Sequence, residues 1–221
     1  VTSRRREEKL QEVPIAVSVI AADQLEDIAA TDISEPQAYV PNLSIYQGRN
    51  QSTTLTAVVR GVGQAGPLWG VDPGVGLYID DVYIARAQGA LLDVYDVARV
   101  EVLRGPQGTL YGKNTIGGAV KYVTKEMTDD PEGKITWNMG SFGTQELRAN
   151  FAGPLIEGKL RGKASAAWLT RDGYGDNLYQ NREVSNKDTL AWRLGLDWLP
   201  TENLRFSLNY DHTEDDAEPI G

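Results

Sequence analysis

Few residues of this 221-residue chain could carry covalent or metal chemistry. Cysteine is absent and His212 is the single histidine, which excludes thiol catalysis and thiolate zinc sites and argues against a multi-histidine metal site or a His-based triad. The acidic segments Asp172–Asn177 and Glu214–Asp216 lack the spacing of a calcium loop with its distal glutamate. We therefore predict no catalytic residue, no bound metal, no cofactor and no enzymatic activity.

Two glycine-rich segments come near to nucleotide-binding motifs. Gly61–Gly66 matches the dinucleotide pattern, but Pro67 follows directly where a helix would have to begin. Gln107–Asn114 approaches a P-loop, yet Gln107 replaces its first glycine and Asn114 replaces the magnesium-binding Ser or Thr. An enzyme that uses this turn would lose nucleotide binding on Lys113→Ala. We interpret both segments as loops.

The composition by itself describes an acidic globular chain. The net charge is −9, with 41% hydrophobic and 24% charged residues, so the chain is not disordered and lacks the basic surface that nucleic acid requires. No apolar run approaches the roughly 18 residues of a membrane helix. Because the chain starts at Val1 without a signal peptide, we expect a mature form or a fragment.

The elements that would position any site differ between the two halves of the chain. The first half predicts a small mixed α/β domain with prominent loops. A helix N-capped by Asp23 and running through Ile28, and a second short helix within 31–40, are expected there. The predicted strands are Ile15–Ile20, Ser44–Tyr46, Thr53–Val59, a hairpin over Gly76–Ile84 that turns at Asp80–Asp81, Val100–Leu103 and Ala119–Thr124.

The second half alternates with a period of two over five stretches, a pattern typical of β-strands. One face of these stretches contains 20 positions and no charged residue, whereas about five would be expected from the overall charge content. The opposite face carries charges such as Arg148, Lys163 and Asp197. The five stretches are Lys134–Gly140, Glu146–Ala152, Leu160–Thr170, Thr189–Trp198 and Leu204–Asp211.

Two architectures explain this alternation: a soluble β-sandwich and a membrane β-barrel. The barrel is favoured by strands of about ten residues and by tryptophans near the strand ends. Short connections also alternate with a long polar one over Arg171–Asp188. A charge on a lipid-facing position costs about 2–4 kcal/mol, which accounts for the charge-free face. Five strands cannot close a barrel, since the smallest common ones use about eight.

Several segments resemble the TonB-dependent outer-membrane receptors of Gram-negative bacteria, and the resemblance covers the whole chain. The most diagnostic block is Arg99–Gly112, followed by Gly117–Val120. Further segments resemble other parts of the plug. Val13–Leu25 is similar to the first plug strand and helix, and Ala38–Ser44 follows in the expected place. Val59–Gly61 is similar to the Ile-Arg-Gly segment, and Val75–Tyr83 to the plug hairpin.

This resemblance implies a mixed α/β plug domain over residues 1–130, followed by antiparallel transmembrane strands over 131–221 as part of a membrane β-barrel. It implies an energy-coupled receptor in the outer membrane with a periplasmic N-terminus, most often an importer of ferric siderophores. Its expected partners are TonB with the inner-membrane energising complex, a small-molecule ligand and outer-membrane lipid, but not nucleic acid. Carbohydrate, cobalamin or an aromatic compound are alternative cargoes, and a soluble binding or adhesion protein with a β-sandwich is a more distant alternative.

The resemblance also assigns roles to individual residues. It implies that Arg60, Gly61, Glu101, Arg104 and Gly105 anchor the plug to the barrel. Arg60 and Arg104 would pair with glutamates of the barrel wall beyond Gly221. Ligand contact is expected in the apical loops, and the start of the chain resembles the tail of the TonB box. The ligand-contact candidates are Gln64, Pro67, Trp69, Arg86 and Gln88, and the TonB-box remnant is Val1, Thr2 and Ser3.

Overall fold

The computed structural model describes residues 1–28, 30, 34–47, 55–64, 71–85, 95–177, 182–201 and 203–218. The chain divides into two compact units, Val1–Lys125 and Glu126–Gly221. Among the helices in these ranges, none is long and apolar enough to cross a lipid bilayer.

The first unit is built on a five-stranded sheet with the order β1-β7-β8-β5-β6. Its neighbours are antiparallel except for β5 and β8, which are parallel. A smaller antiparallel sheet has the order β2-β3-β4. The strands are β1 (Ala16–Ala21), β2 (Leu43–Gln47), β3 (Leu55–Val59), β4 (Val62–Gly63), β5 (Val75–Ile79), β6 (Val82–Ile84), β7 (Val97–Arg104) and β8 (Gly118–Thr124).

Two apolar clusters form the core of the first unit. The larger contains Val100 and Val102 of β7 with Val120 and Tyr122 of β8. Because side chains alternate along a strand, Leu103 points the other way and belongs to a second cluster with Tyr78, Tyr111 and Ala119. The central strands β7 and β8 are therefore covered on both faces.

The hairpin predicted over Gly76–Ile84 is present as β5 and β6. Its turn begins at Asp80, which has a positive φ of 52° and whose carboxylate accepts hydrogen bonds from the Thr124 amide and hydroxyl at 2.9 and 3.1 Å. Aspartate tolerates this left-handed conformation better than most residues. The turn is thereby attached to the end of β8.

The helices of the first unit are shorter than the sequence pattern suggested. Helix α1 covers Ala22–Asp27 and its N-cap is Ala21; the Gln24 side chain, not Asp23, returns to bond the Ala21 amide at 3.1 Å. The predicted helix within 31–40 is a 3₁₀ turn over Glu35–Tyr39 with a proline in its first turn. A further 3₁₀ turn covers Leu10–Glu12 and helix α2 covers Gly108–Tyr111.

The second unit is an antiparallel meander with the order β15-β14-β11-β10-β9. The long connection between β11 and β14 carries a small separate hairpin, β12 and β13. The strands are β9 (Glu132–Met139), β10 (Gln145–Ile156), β11 (Leu160–Arg171), β12 (Gly175–Asn177), β13 (Arg182–Val184), β14 (Lys187–Thr201) and β15 (Leu204–Asp215).

Strand β10 extends beyond the predicted stretch Glu146–Ala152. It passes Gly153 and ends at Ile156, with a register shift between Pro154 and Ile156. Proline has no amide hydrogen to donate to the ladder, so the pairing is interrupted there rather than ended. The connection to β11 shortens to Glu157–Lys159.

The meander is inverted relative to a soluble sheet. The apolar side chains of its charge-free face are largely exposed, with Leu194 at 50% and Leu208 at 67%, whereas on the opposite face Asp197 is fully buried and Arg193 is 4% exposed. A sandwich would bury the apolar face between two sheets, but the residues that the structure describes leave it open. The observed sheet therefore fits a barrel wall that faces hydrocarbon on its apolar side.

Candidate functional site

Two Arg-Gly turns of the first unit converge on each other. Arg60 follows β3 and Arg104 ends β7, and the glycine after each has a positive φ, 79° at Gly61 and 107° at Gly105. A Cβ added to Gly105 would lie only 3.2 Å from Nη1 of Arg60. The glycine thus lets the Arg60 guanidinium approach the backbone of the second turn.

Neither turn arginine has a carboxylate partner within the part of the chain that the structure describes. No ion pair joins Arg60 or Arg104 to an acidic group there, and Nε of Arg104 is buried without a hydrogen-bond partner. Arg60 is exposed and Arg104 is half-buried, so only the unpaired Nε of Arg104 carries a desolvation cost, about 1–3 kcal/mol or more for a buried charged donor. Both guanidinium groups can donate hydrogen bonds to a carboxylate, and the glutamates expected from the resemblance remain a prediction.

Glu101, the third charged residue assigned to anchoring, has other partners. Its carboxylate is fully buried and lies 2.7 Å from Nε of Arg99. The backbone amide and hydroxyl of Thr2 donate to the same oxygen, Oε1, at 2.8 and 3.3 Å. Glu101 therefore holds the start of the chain and forms no ion pair with Arg60 or Arg104.

The predicted TonB-box remnant lies on the face of the first sheet that carries Glu101. Thr2 contacts Glu101, and the hydroxyl of Ser3 is buried. Tyr111 of α2 donates its hydroxyl to the Ser3 carbonyl oxygen at 2.9 Å. Sequence reasoning missed Tyr111 as a partner, because it lies 108 residues away along the chain.

Tyr111 also belongs to a tyrosine cluster, in which Tyr78 contacts both Tyr111 and Tyr83. Its ring meets that of Tyr78 edge-on at 4.9 Å between centroids, and its carbonyl accepts the Tyr78 hydroxyl at 2.6 Å. Burial, with smaller contributions from the nearby negative charges of Glu101 and Asp81, raises the pKa of Tyr111 to about 12. The neutral phenol is therefore favoured in the folded unit.

A raised tyrosine pKa predicts alkaline sensitivity. Tyr111 contributes stability that is fully present below the unfolded pKa, near 10, and that is lost as the pH rises through about 12. Titration by ultraviolet difference absorbance should show the Tyr111 phenol among those that ionise late, together with Tyr78, whose pKa is also raised by burial, and Tyr111→Phe should remove this one late phenol. Tyr39→Phe, which changes an exposed tyrosine, should leave that late phenol in place; its loss there would contradict the assignment.

The apical-loop candidates for ligand contact are only partly described. Gln64 follows β4, and its side-chain nitrogen is buried without a hydrogen-bond partner among the described residues. A buried amide of this kind favours an acceptor beside it. The other candidates, Pro67, Trp69, Arg86 and Gln88, lie outside the described residues.

Where the structure describes them, the two nucleotide-like segments form no phosphate cradle. Val62 and Gly63 belong to strand β4 and not to the start of a helix. In the P-loop-like segment, helix α2 ends at Tyr111, before Lys113, whose ammonium is exposed and pairs with Asp72 at 2.9 Å. A P-loop needs its helix to begin after the lysine. Over the described ranges, moreover, no group of three or more His, Asp or Glu side chains could hold a metal ion.

The first unit matches a known protein family. The model of the TonB-dependent receptor plug domain matches residues 9–119, just over half of the chain. This chain belongs to the TonB-dependent receptor plug domain family. Its fold is the mixed α/β plug followed by antiparallel strands of a partial barrel.

Relatives and a solved structure extend the match beyond the plug. The pesticin receptor of Yersinia pestis is 32% identical over 72% of this chain and 23% of its own length. The ferrichrome outer membrane transporter/phage receptor of Escherichia coli is 24% identical over 100% of this chain and 28% of its own. The ferric yersiniabactin uptake receptor of Yersinia pestis matches with a TM-score of 0.80 and 28% identity, over 90% of this chain and 32% of that one. The chain spans about a quarter of the length of the curated relatives.

Proposed function

We propose that this chain forms the plug and first barrel strands of a TonB-dependent outer-membrane receptor that imports a scarce solute. The observation that carries the proposal is the union, in one chain, of the plug family match over residues 9–119 and a sheet with an exposed apolar face. Such a face is stable against hydrocarbon. The proposal places the protein in the bacterial outer membrane, with its N-terminus in the periplasm and outer-membrane lipid around the barrel.

The proposed cargo is a ferric siderophore. Two of the relatives above are named for ferric yersiniabactin and ferrichrome. We propose that this chain, too, is part of a transport receptor and not of an enzyme. Ligand contact is proposed for the apical loops, at Gln64, Pro67, Trp69, Arg86 and Gln88. The buried, unpartnered amide of Gln64 supports its inclusion.

Uptake measurements in a Gram-negative host test the transport function. Under iron limitation, cells that express the intact protein should accumulate iron from at least one chelate in a panel of ferric siderophores. Accumulation should stop when TonB is deleted or the proton gradient is collapsed, while binding at the cell surface persists. Uptake that continues without TonB, or recovery of the protein in the cytosol with no outer-membrane signal, would contradict the proposal.

The turn arginines should affect transport more than ligand binding. Without a carboxylate partner in the described chain, Arg60 and Arg104 are proposed to anchor the plug to the barrel wall. Arg104→Ala should lower uptake by roughly tenfold or more, the loss expected for a charged hydrogen bond, with less effect on surface binding. Lys113→Ala, which removes an exposed cation, is the control. Equal losses of binding and uptake for Arg104→Ala would argue against anchoring.

A further inference from the structure

The connector, residues 125–131, leads from the end of β8 to the start of β9. Arg161 of β11 donates two hydrogen bonds to the Asp129 carboxylate of this connector, from Nε to Oδ1 at 2.8 Å and from Nη2 to Oδ2. Such a two-point contact fixes geometry as well as charge. It also lowers the pKa of Asp129, so the carboxylate is ionised at neutral pH. Arg161 therefore ties the connector to the sheet.

A second carboxylate lies beside the same guanidinium. Asp197 of β14 is directly opposite Arg161 in the strand register, and the two side chains share the charged face of the meander. Residues opposite each other in an antiparallel pair have their Cβ atoms about 4.5–5.5 Å apart. Asp197 is thus within reach of the Arg161 side chain without a shift of the backbone.

Asp197 is satisfied on one side only. Arg205 of β15 pairs with its Oδ2, whereas Oδ1 is buried and has no hydrogen-bond partner among the described residues. A buried acceptor without a donor destabilises the arrangement that buries it. Arg161, which could supply that donor, is turned towards Asp129. The two aspartates therefore compete for one guanidinium.

The competing carboxylates differ in their access to water. The Asp129 side chain is 49% exposed, so water hydrates its carboxylate once Arg161 turns away. Asp197 is fully buried and gains a hydrogen bond that it lacks. Because the guanidinium stays paired in both positions, releasing the connector avoids the cost of a cation left without a partner.

We infer that Arg161 is a two-position latch. In one position it holds Asp129 and fixes the connector. In the other it turns to Oδ1 of Asp197, and the connector is released while β11 and β14 remain paired. The inference rests on contacts within the second unit and stands without the proposed transport function. If that function holds, the latch sets how firmly the last segment of the plug is tied to the first barrel strands.

A spin label on the connector reports on the latch. The chain has no cysteine and Asp130 is exposed, so Asp130→Cys gives a nitroxide a unique attachment site beside Asp129. In the purified intact protein, the continuous-wave spectrum should contain an immobile and a mobile component. Asp129→Asn should raise the ratio of mobile to immobile label by roughly tenfold, as expected for a lost charged hydrogen bond.

Further variants separate a latch from a fixed clamp. Asp197→Asn removes the charge that competes for Arg161, so the mobile fraction should fall severalfold, the opposite of Asp129→Asn. Arg205→Gln frees the second oxygen of Asp197 and should draw Arg161 across, which raises the mobile fraction. Because the Arg205 side chain is 48% exposed, this variant decides the outcome even if Asp197→Asn fails to fold. Glu157→Gln, which changes an exposed carboxylate in the neighbouring turn, is the control and should leave the spectrum unchanged.

Three results would each overturn the inference: a label that ignores Asp129→Asn, a mobile fraction that stays the same or rises in Asp197→Asn, and a mobile fraction that does not rise in Arg205→Gln. A fixed clamp predicts the second and third of these. Uptake is not measured, so a failure of the transport proposal leaves this test intact.

Discussion

Leu194→Arg should prevent the second unit from being assembled in the outer membrane. Leu194 lies midway along β14, paired with Ala164 and Tyr210, on the face whose side chains are apolar and exposed. An arginine at the middle of the hydrocarbon layer costs about 2–4 kcal/mol. We expect the variant to be depleted from the outer-membrane fraction and to lose the heat-modifiable migration of folded barrels on denaturing gels.

A matched charge on the opposite face separates this effect from a general disturbance of the sheet. Ser207 lies on β15 opposite Asp197, a carboxylate that already pairs with Arg205. Ser207→Arg should therefore be tolerated and reach the membrane at the parental level. If both variants assemble equally well, the apolar face does not meet lipid and the barrel interpretation fails.

Gly118→Ala should unfold the first unit at much lower denaturant concentration. Gly118 begins β8 with a φ of 151°, and a Cβ there would lie 2.2 Å from the carbonyl oxygen of Leu103. The clash involves backbone of the paired strand β7, so neither strand can move without breaking the centre of the sheet. Backbone strain and overpacking together should lower the free energy of unfolding by about 4 kcal/mol.

The urea midpoint, followed through the near-ultraviolet signal of the buried tyrosines Tyr78 and Tyr111, measures this loss. Gly108→Ala is the control, because Gly108 is the first residue of α2 and a Cβ there meets nothing within 4 Å. Alanine favours helix over glycine by about 1 kcal/mol, so this variant should keep or slightly raise the midpoint. A parental midpoint for Gly118→Ala would show that the turn between α2 and β8 adjusts freely.

Local sequence patterns predicted the elements that depend on residues close together in the chain. The hairpin over Gly76–Ile84 was predictable because alternating apolar residues flank a pair of aspartates that tolerate a turn. The inverted meander followed from its period of two and a face without charges. The start of α1 was mispredicted at Asp23, because Gln24 caps the Ala21 amide from inside the helix and competes with the stronger N-cap preference of aspartate.

The sequence by itself determined the family, the two-part architecture and which face of the meander is apolar, since each of these depends on motifs or on alternation between neighbouring residues. Only the tertiary structure decided which distant residues are in contact. Thr2 is hydrogen-bonded to Glu101, 99 residues away along the chain, and the Arg60 side chain lies against Gly105. Such contacts depend on how β7 and β8 place distant segments side by side. No local periodicity encodes that placement, because a buried charge requires only that some partner be present and does not specify which one.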